Sequence, residues 1–228
     1  MSHETRKIPS KIAHAPDYSL EESLGAPGMR IAGIDEAGRG AWAGPVVAAA
    51  VILTHGKIPE GIRDSKLLRK PQREEMFDRI TRTADFAVGI VESDEIDRIN
   101  ILQASLKAMG IAAAKLPRPP QALLVDGRQT PSLPEPLNRI PARAIVKGDS
   151  KSLSIAAASI IAKVTRDRVM TELSKNGHAY GWEHNAGYGT RAHRDALDRF
   201  GVSKQHRRSF KPIHKILSQR TRERLYFV

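Results

Sequence analysis

The 228-residue sequence predicts an α/β fold: a mixed five-stranded sheet flanked by helices, followed by a basic helical lobe at the C-terminus. Three observations predict it. Five short apolar runs are each bounded by turn residues, the signature of buried strands. The first runs follow one another as a meander, and the later ones alternate with helix-period segments, which implies a mixed sheet with helices packed on it. The last third of the chain carries helical periodicity and most of the net positive charge.

Residues 1–28 are polar, hold five Gly/Pro residues in their second half and before it, and show no sustained period, so a mobile tail is expected there. Residues 30–35 form the first apolar run. The segment "PVVAAAVIL" (45–53) reads as the second strand, opened by Pro45, an acceptable first strand position. Residues 71–84 look helical, with Pro71 in the first turn and Met76, Phe77 and Ile80 at helical spacing. "DFAVGIV" (85–91) reads as the third strand. Ser93 followed by Asp94 and Glu95 is an N-cap signature for a helix reaching about residue 116, where "PRPP" stops it. "QALLVDG" (121–127) is the fourth strand, and a Pro-rich loop separates it from the fifth at 142–149. The Ala- and Ile-rich segment 154–173 is the strongest helix, and residues 190–201 form a shorter one closed by Gly201. The expected organisation is a tail (1–28), a core (29–175) and a C-terminal basic helical region (176–228).

Composition narrows the function. Lys and Arg number 37 against 25 Asp and Glu, a net charge of +12. A chain this basic meets a polyanion, most often nucleic acid, or is a generally basic enzyme. Between Arg191 and Arg224 there are 11 Lys/Arg and 3 Asp/Glu, a net of +8 out of +12, so a phosphate-facing lobe is expected there. With no cysteine, thiol nucleophiles, disulfides and Cys–zinc sites are excluded. No apolar run approaches the roughly 18 residues of a membrane span, and the first residues lack the apolar region of a signal peptide, so a cytoplasmic protein is expected.

Three apolar strands end in acid: Asp35 next to Glu36, Asp126 before Gly127, and Asp149. A carboxylate ending a buried strand is costly unless it is hydrogen-bonded, paired or bound to a cation. Sites in open α/β sheets form beyond the carboxyl ends of strands. Four converging carboxylates with no His or Cys nearby select a hard cation, Mg²⁺ or Mn²⁺. Two ions per site would suit phosphoryl displacement. Otherwise each Asp simply caps a turn or pairs with a Lys. Asp167, beside Arg166 and Arg168 in the Ala-rich helix, is better explained by an intrahelical or helix-to-loop ion pair. The loop "GRGAWAG" is G-x-G-x-x-x-G followed by a strand, so it is no dinucleotide loop. Gly38, Ala41 and Gly44 are expected to leave a bare surface beside Arg39. His193, His206 and His214 have no companions at metal spacing and read as surface groups.

The segments "GIDEAGRGAWAGPVVAAAVIL", "DSKLL", "LLVDG", "KGDSKSLSIAAASIIAKVTRD" and "AGYGT…HRRSF" together resemble bacterial ribonuclease HII, in the family's order over about residues 29–212. The resemblance implies a ribonuclease H-like core. It also implies an endonuclease that cuts the RNA strand of RNA–DNA hybrids, or duplex DNA 5′ of a single ribonucleotide, leaving 3′-hydroxyl and 5′-phosphate ends. By motif match, Asp35, Glu36, Asp126 and Asp149 resemble the metal-binding carboxylates. Gly38, Arg39 and Gly40 match the segment reading the 2′-hydroxyl through backbone groups. Tyr188 matches the residue stacking at the RNA–DNA junction, and Ser65 and Lys66 match a motif near the DNA backbone. Where many relatives carry His-Lys, this chain has Asn185 and Ala186, so one phosphate contact is missing. A monomer is expected. The competing readings are a non-catalytic basic nucleic-acid binder and another nuclease of the same superfold, such as a junction resolvase.

Overall fold

The computed structural model describes residues 15–175 and 180–226, with side chains to residue 219. Five strands, β1 (Ile31–Ala37), β2 (Val46–Ile52), β3 (Asp85–Val91), β4 (Ala122–Asp126) and β5 (Ala142–Ile145), form one sheet in the order β3-β2-β1-β4-β5. β1–β2 and β2–β3 pair antiparallel, whereas β1–β4 and β4–β5 pair parallel. The mixed meander expected from the sequence is therefore present. β2, buried at every position, is apolar throughout because helices cover both its faces.

On one face lies α3 (Ser93–Ala114), whose Ile96, Ala104, Ala108 and Ala112 pack with Ala32, Ile34, Ala48 and Val125. On the other lie α4 (Leu153–Lys175) and α2 (Lys70–Thr83), packed over Ala49 and Val51. The approach of α4 to β1 is close: a Cβ on Gly33 would overlap the backbone of Ser154. A third cluster joins Ala43 and Met170 of the main body to Tyr180, Trp182, Leu197 and Ile213. Tyr180 lies just before α5 (Trp182–Asn185), which carries Trp182; Leu197 and Ile213 come from α6 (Arg191–Phe200) and α7 (Lys211–Tyr226). Among the described residues no helix is long and apolar enough to cross a membrane.

The structure corrects four expectations. Residues 1–14 lie outside the described residues, but from Asp17 onward the expected mobile tail is docked. The short helix α1 (Ser19–Ser23) buries Glu21, whose Oε1 accepts from Ser152 Oγ (2.6 Å) and from Ser154 N (2.8 Å) and Oγ. A carboxylate there satisfies amides at the start of α4 and suits its positive end. Ser93 caps nothing: the N-cap of α3 is Glu92, and the Ser93 hydroxyl instead donates to Lys204 O. The helix breaks at Asn100 (φ 67°), whose side-chain oxygen accepts from the Leu102 and Gln103 amides and restarts it. Finally, β5 stops at Ile145. Lys147 takes a left-handed conformation (φ 56°), so Asp149 sits in a single tight turn, Gly148–Ser150, rather than at a strand end.

Replacing Glu21 by Ala leaves the Ser154 amide unsatisfied in the interior and takes the charged acceptor from the Ser152 and Ser154 hydroxyls, which keep only each other and the Ile155 amide. A loss of about 2–3 kcal/mol in urea unfolding is expected. An unchanged midpoint would show that α1 adds nothing to the fold.

Candidate active site

The parallel register pairs Ile34 of β1 with Val125 of β4, so Asp35 and Asp126 come next on neighbouring strands. Side chains alternate along a strand. Asp35 therefore projects with Gly33 toward α4, and Glu36 projects with Ile34 toward α3. Asp149 arrives from the turn before α4. Its neighbour Gly148 donates its amide to Asp126 Oδ1 (2.6 Å), which locks that turn onto the end of β4. A Cβ on Gly148 would press into Ile155 and crowd that oxygen.

All four carboxylates thus meet at one end of the sheet. Asp35 is 5% exposed and Asp149 6%, and the Glu36 side chain is nearly as buried. Burial pushes Asp35 well above the usual carboxylate range, and the charges of Glu36, Asp126 and Asp149 push it further. Burial likewise raises Glu36, against the pull of Arg39. Asp126 is raised by burial and by Asp149, and is held back by the Gly148 amide.

Two cations offset this repulsion from the rim. Arg39 Nη1 lies 3.1 Å from Glu36 Oε1, and Lys66 Nζ 3.1 Å from Asp149 Oδ2. Partial burial alone would lower Lys66, but the bond to Asp149 and the charges of Asp149, Asp64 and Asp35 leave it raised. As the side chains stand, no three acidic or histidine groups among the described residues are gathered tightly enough to hold an ion. The donor set is nonetheless all oxygen and strongly repulsive, with lysine and arginine in the positions of cations, and it fits hard divalent ions. Beside Glu36 and Asp126 opens a cavity of about 360 Å³ lined by Leu102, Leu106, Met109 and Ser105, whose buried hydroxyl has no partner among the described residues.

The remaining sequence-predicted residues surround this cluster. Tyr188 is 39% exposed, and a Cβ on Gly40 would meet nothing but its ring, at 3.8 Å, so these two share one wall. Lys66 is exposed, but Ser65 is 6% exposed. Its amide donates to Ser159 Oγ and its carbonyl accepts from Arg73, so it braces Lys66 and offers little surface of its own. Asn185 and Ala186 build the Tyr188 turn: Asn185 Oδ1 accepts from Gly187 N (2.8 Å), and the Ala186 carbonyl accepts from Arg166. Asp167 is indeed in an ion pair, with Lys163 (2.8 Å) and at the limit with Arg73 (4.0 Å); Arg166 and Arg168 are engaged elsewhere.

The bare-surface expectation fails at all three positions it named, and the bare glycine is Gly40 instead. Gly38, Ala41 and Gly44 face inward. A Cβ on Gly38 (φ +96°) would overlap Arg166, and one on Gly44 (φ +79°) would overlap Met170. The sequence reading missed what lies beneath. Arg166 donates to the carbonyls of Pro45, Ala43 and Ala186, and Arg207 to those of Gly44, Arg39 and Pro45. Both are buried with no carboxylate partner among the described residues, and burial lowers the pKa of each. Arg166 in an apolar helix and Arg207 in "HRRSF" were the available signals. His193 and His206 also depart from the surface role expected, being buried against each other; His214 alone is exposed.

The family model for ribonuclease HII matches residues 32–213, which contain every one of these groups but His214. The chain belongs to the ribonuclease HII family. It is 52% identical over 205 residues to the ribonuclease HII of Ruegeria pomeroyi, covering 90% of this chain and 86% of that one. Among solved structures it is similar to the ribonuclease H2 of Pyrococcus horikoshii OT3 (TM-score 0.68, 28% identity, 84% of this chain and 98% of that one). It also shares its fold with Bst-RNase HIII in complex with Mn²⁺ (TM-score 0.66, 22% identity, 97% of this chain and 77% of that one). The protein is thus a ribonuclease H enzyme, a hydrolase of RNA in RNA–DNA hybrids.

The raised Asp35 has a stability consequence. A carboxyl whose folded pKa exceeds its unfolded one stabilises the fold while protonated, and that contribution is lost as pH rises through the folded value. In metal-free protein near neutral pH, Asp35→Asn is therefore expected to raise the melting temperature. The gain should shrink as pH falls toward the ordinary carboxylate range. A lowered melting temperature at neutral pH would contradict the raised pKa.

Proposed function

We propose that Asp35, Glu36, Asp126 and Asp149 together hold two divalent ions, Mg²⁺ or Mn²⁺, at the scissile phosphate. The observation that carries this is the gathering of four mutually repelling carboxylates, Asp35 and Asp149 buried and Glu36 and Asp126 half-buried, whose compensating cations, Arg39 and Lys66, stand only at the rim. When bound, such ions activate the attacking water and neutralise charge on the leaving oxygen. The chain's own residues do the rest. The β1–β4 register fixes Asp35 beside Asp126, and the Gly148 amide fixes the orientation of Asp126. Arg39 and Lys66 sit where they take the flanking phosphates once the carboxylates are otherwise neutralised.

Substrate choice resides in the wall formed by residues 38–40 and Tyr188. Gly40 presents backbone with no Cβ toward the groove, so a ribose can lie against it. The 2′-hydroxyl donates and accepts, and polar backbone groups built for it reject a sugar that lacks it. Tyr188 stacks on the sugar or base at the RNA–DNA junction. The cut falls on the 5′ side of the ribonucleotide and leaves 3′-hydroxyl and 5′-phosphate ends. Exposed Arg191, Arg199, Lys204, Arg208, Lys211 and Lys215 grip the duplex backbone as a monomer's single binding face.

A DNA duplex with one ribonucleotide should be cut once, immediately 5′ of it, in Mg²⁺. The matching all-DNA duplex should be cut on the order of 10⁴-fold more slowly. Gly40→Ala, which the backbone there tolerates, should reduce that preference by about tenfold or more and leave duplex affinity nearly unchanged. Equal cutting of the two duplexes by the wild-type protein would refute the role given to this wall and favour a general nuclease of the same superfold.

A further inference from the structure

The two histidines buried behind the Tyr188 wall form a chain of hydrogen bonds with only one self-consistent direction. His193 is 0% and His206 1% exposed, and their Nε2 atoms lie 3.0 Å apart. One of the two must therefore carry a proton there and the other must not. The groups around them decide which. The indole Nε1–H of Trp182, a donor only, points at His193 Nε2 (3.4 Å), so that nitrogen is an acceptor. At the far end, the backbone N–H of Ser203, also a donor only, points at His206 Nδ1 (3.0 Å), so that nitrogen accepts as well; the Ser203 hydroxyl, 2.9 Å from it, can turn its own proton either way and does not oppose this. The proton of neutral His206 is then on Nε2 and is donated to His193. The proton of neutral His193 is on Nδ1, 3.0 Å from the carbonyl oxygen of Tyr188, which can only accept. Three one-way partners agree on one assignment.

We infer that His193 and His206 are positioning residues for Tyr188: a tautomer-locked relay from Ser203 that holds the Tyr188 backbone, and so aims its ring at the substrate. This rests on the stacking role proposed for Tyr188. The Tyr188 carbonyl also accepts from Thr190 N (2.8 Å), so the imidazole fills its second lone pair and fixes the peptide plane. Aromatic neighbours enclose the relay: Trp42 lies 5.8 Å from the His193 ring, and Tyr180 4.9 Å from the His206 ring, centroid to centroid. A protonated ring at either position would set two N–H groups against each other, and burial lowers the pKa of His193, in keeping with a neutral pair. The glycines on either side of Tyr188 supply no stiffness, and overlap with Ala43 O and the Trp42 ring would forbid side chains there. Orientation therefore comes from the Arg166 guanidinium over the ring and from hydrogen bonds to the backbone: Asn185 and Arg194 hold Gly187 and Gly189, and among the described residues His193 supplies the side-chain bond to Tyr188 itself.

A double-mutant cycle on the single-ribonucleotide duplex tests this, with melting temperatures recorded alongside. Tyr188→Ala should lower kcat/KM. His193→Gln, whose amide sits near the Nε2 position and cannot reach the Tyr188 carbonyl, should lower it by about tenfold, the worth of one hydrogen bond. It should have no further effect in the Tyr188→Ala background. His193→Asn, whose amide lies where Nδ1–H does, should recover most of the loss. If Tyr188→Ala has no effect, the stacking role fails and the relay's purpose with it. If Tyr188→Ala is impaired but His193→Gln is silent, or the two losses multiply, the relay is only structural while stacking stands. Should the histidine variants not fold, ¹⁵N NMR of the wild-type imidazoles decides: a proton on His193 Nδ1 and on His206 Nε2 is required, and the opposite tautomers overturn the inference.

Discussion

Everything at the acidic end of the sheet depends on β1 running parallel to β4 in the register that pairs Ile34 with Val125. That register sets Asp35 beside Asp126. It holds because α4 packs so closely on β1 that Gly33 has no room for a Cβ. A slip of one residue would turn Asp35 to the opposite face and drive Ile34 against α4, where only a glycine fits. The start of α4 is itself fixed by Glu21, reaching from the segment before β1 to the Ser152 and Ser154 hydroxyls. Charge repulsion among the four carboxylates works against this arrangement, so the fold keeps them together at the expense of stability, as functional sites commonly do.

A second constraint shapes the substrate wall. Arg166 and Arg207 replace the regular pairing that the segment between β1 and β2 lacks, each binding backbone carbonyls of residues 39–45. A buried guanidinium with no counter-ion is expensive, and it is tolerated because its donors are met by carbonyls. Arg166 also binds the Ala186 carbonyl, so one side chain of α4 ties the Gly40 loop to the Tyr188 turn. Gly38 has no side chain because Arg166 occupies that space. The carboxylate cluster and the Gly40–Tyr188 wall are thereby hung on the same helix, whose N-terminus touches the carboxylate strand and whose middle carries the clamp.

The strands and their mixed order were legible in the sequence because each apolar run is short and bounded by turn residues; residues 85–91 form β3 with the same limits. The three acidic positions stood out for the same reason. Asp149 was placed at a strand end because nothing in "AIVKGD" announces that Lys147 turns left-handed. The bare loop was misjudged at Gly38 and Gly44, since sequence spacing does not say whether a missing side chain faces solvent or a buried arginine. The histidines failed similarly. Lying in a run of cations, His193 and His206 looked solvated, and only tertiary packing brings them together behind Tyr188.

The central claim is that the fold forces four carboxylates together and a divalent cation relieves them. ¹³C NMR titration of the Asp35 carboxyl, with and without Mg²⁺, tests it most directly. The account predicts a titration well above the usual carboxylate range in the metal-free protein and a large downward shift when Mg²⁺ is added. An Asp35 that titrates as an ordinary aspartate without metal, or one indifferent to Mg²⁺, would contradict it.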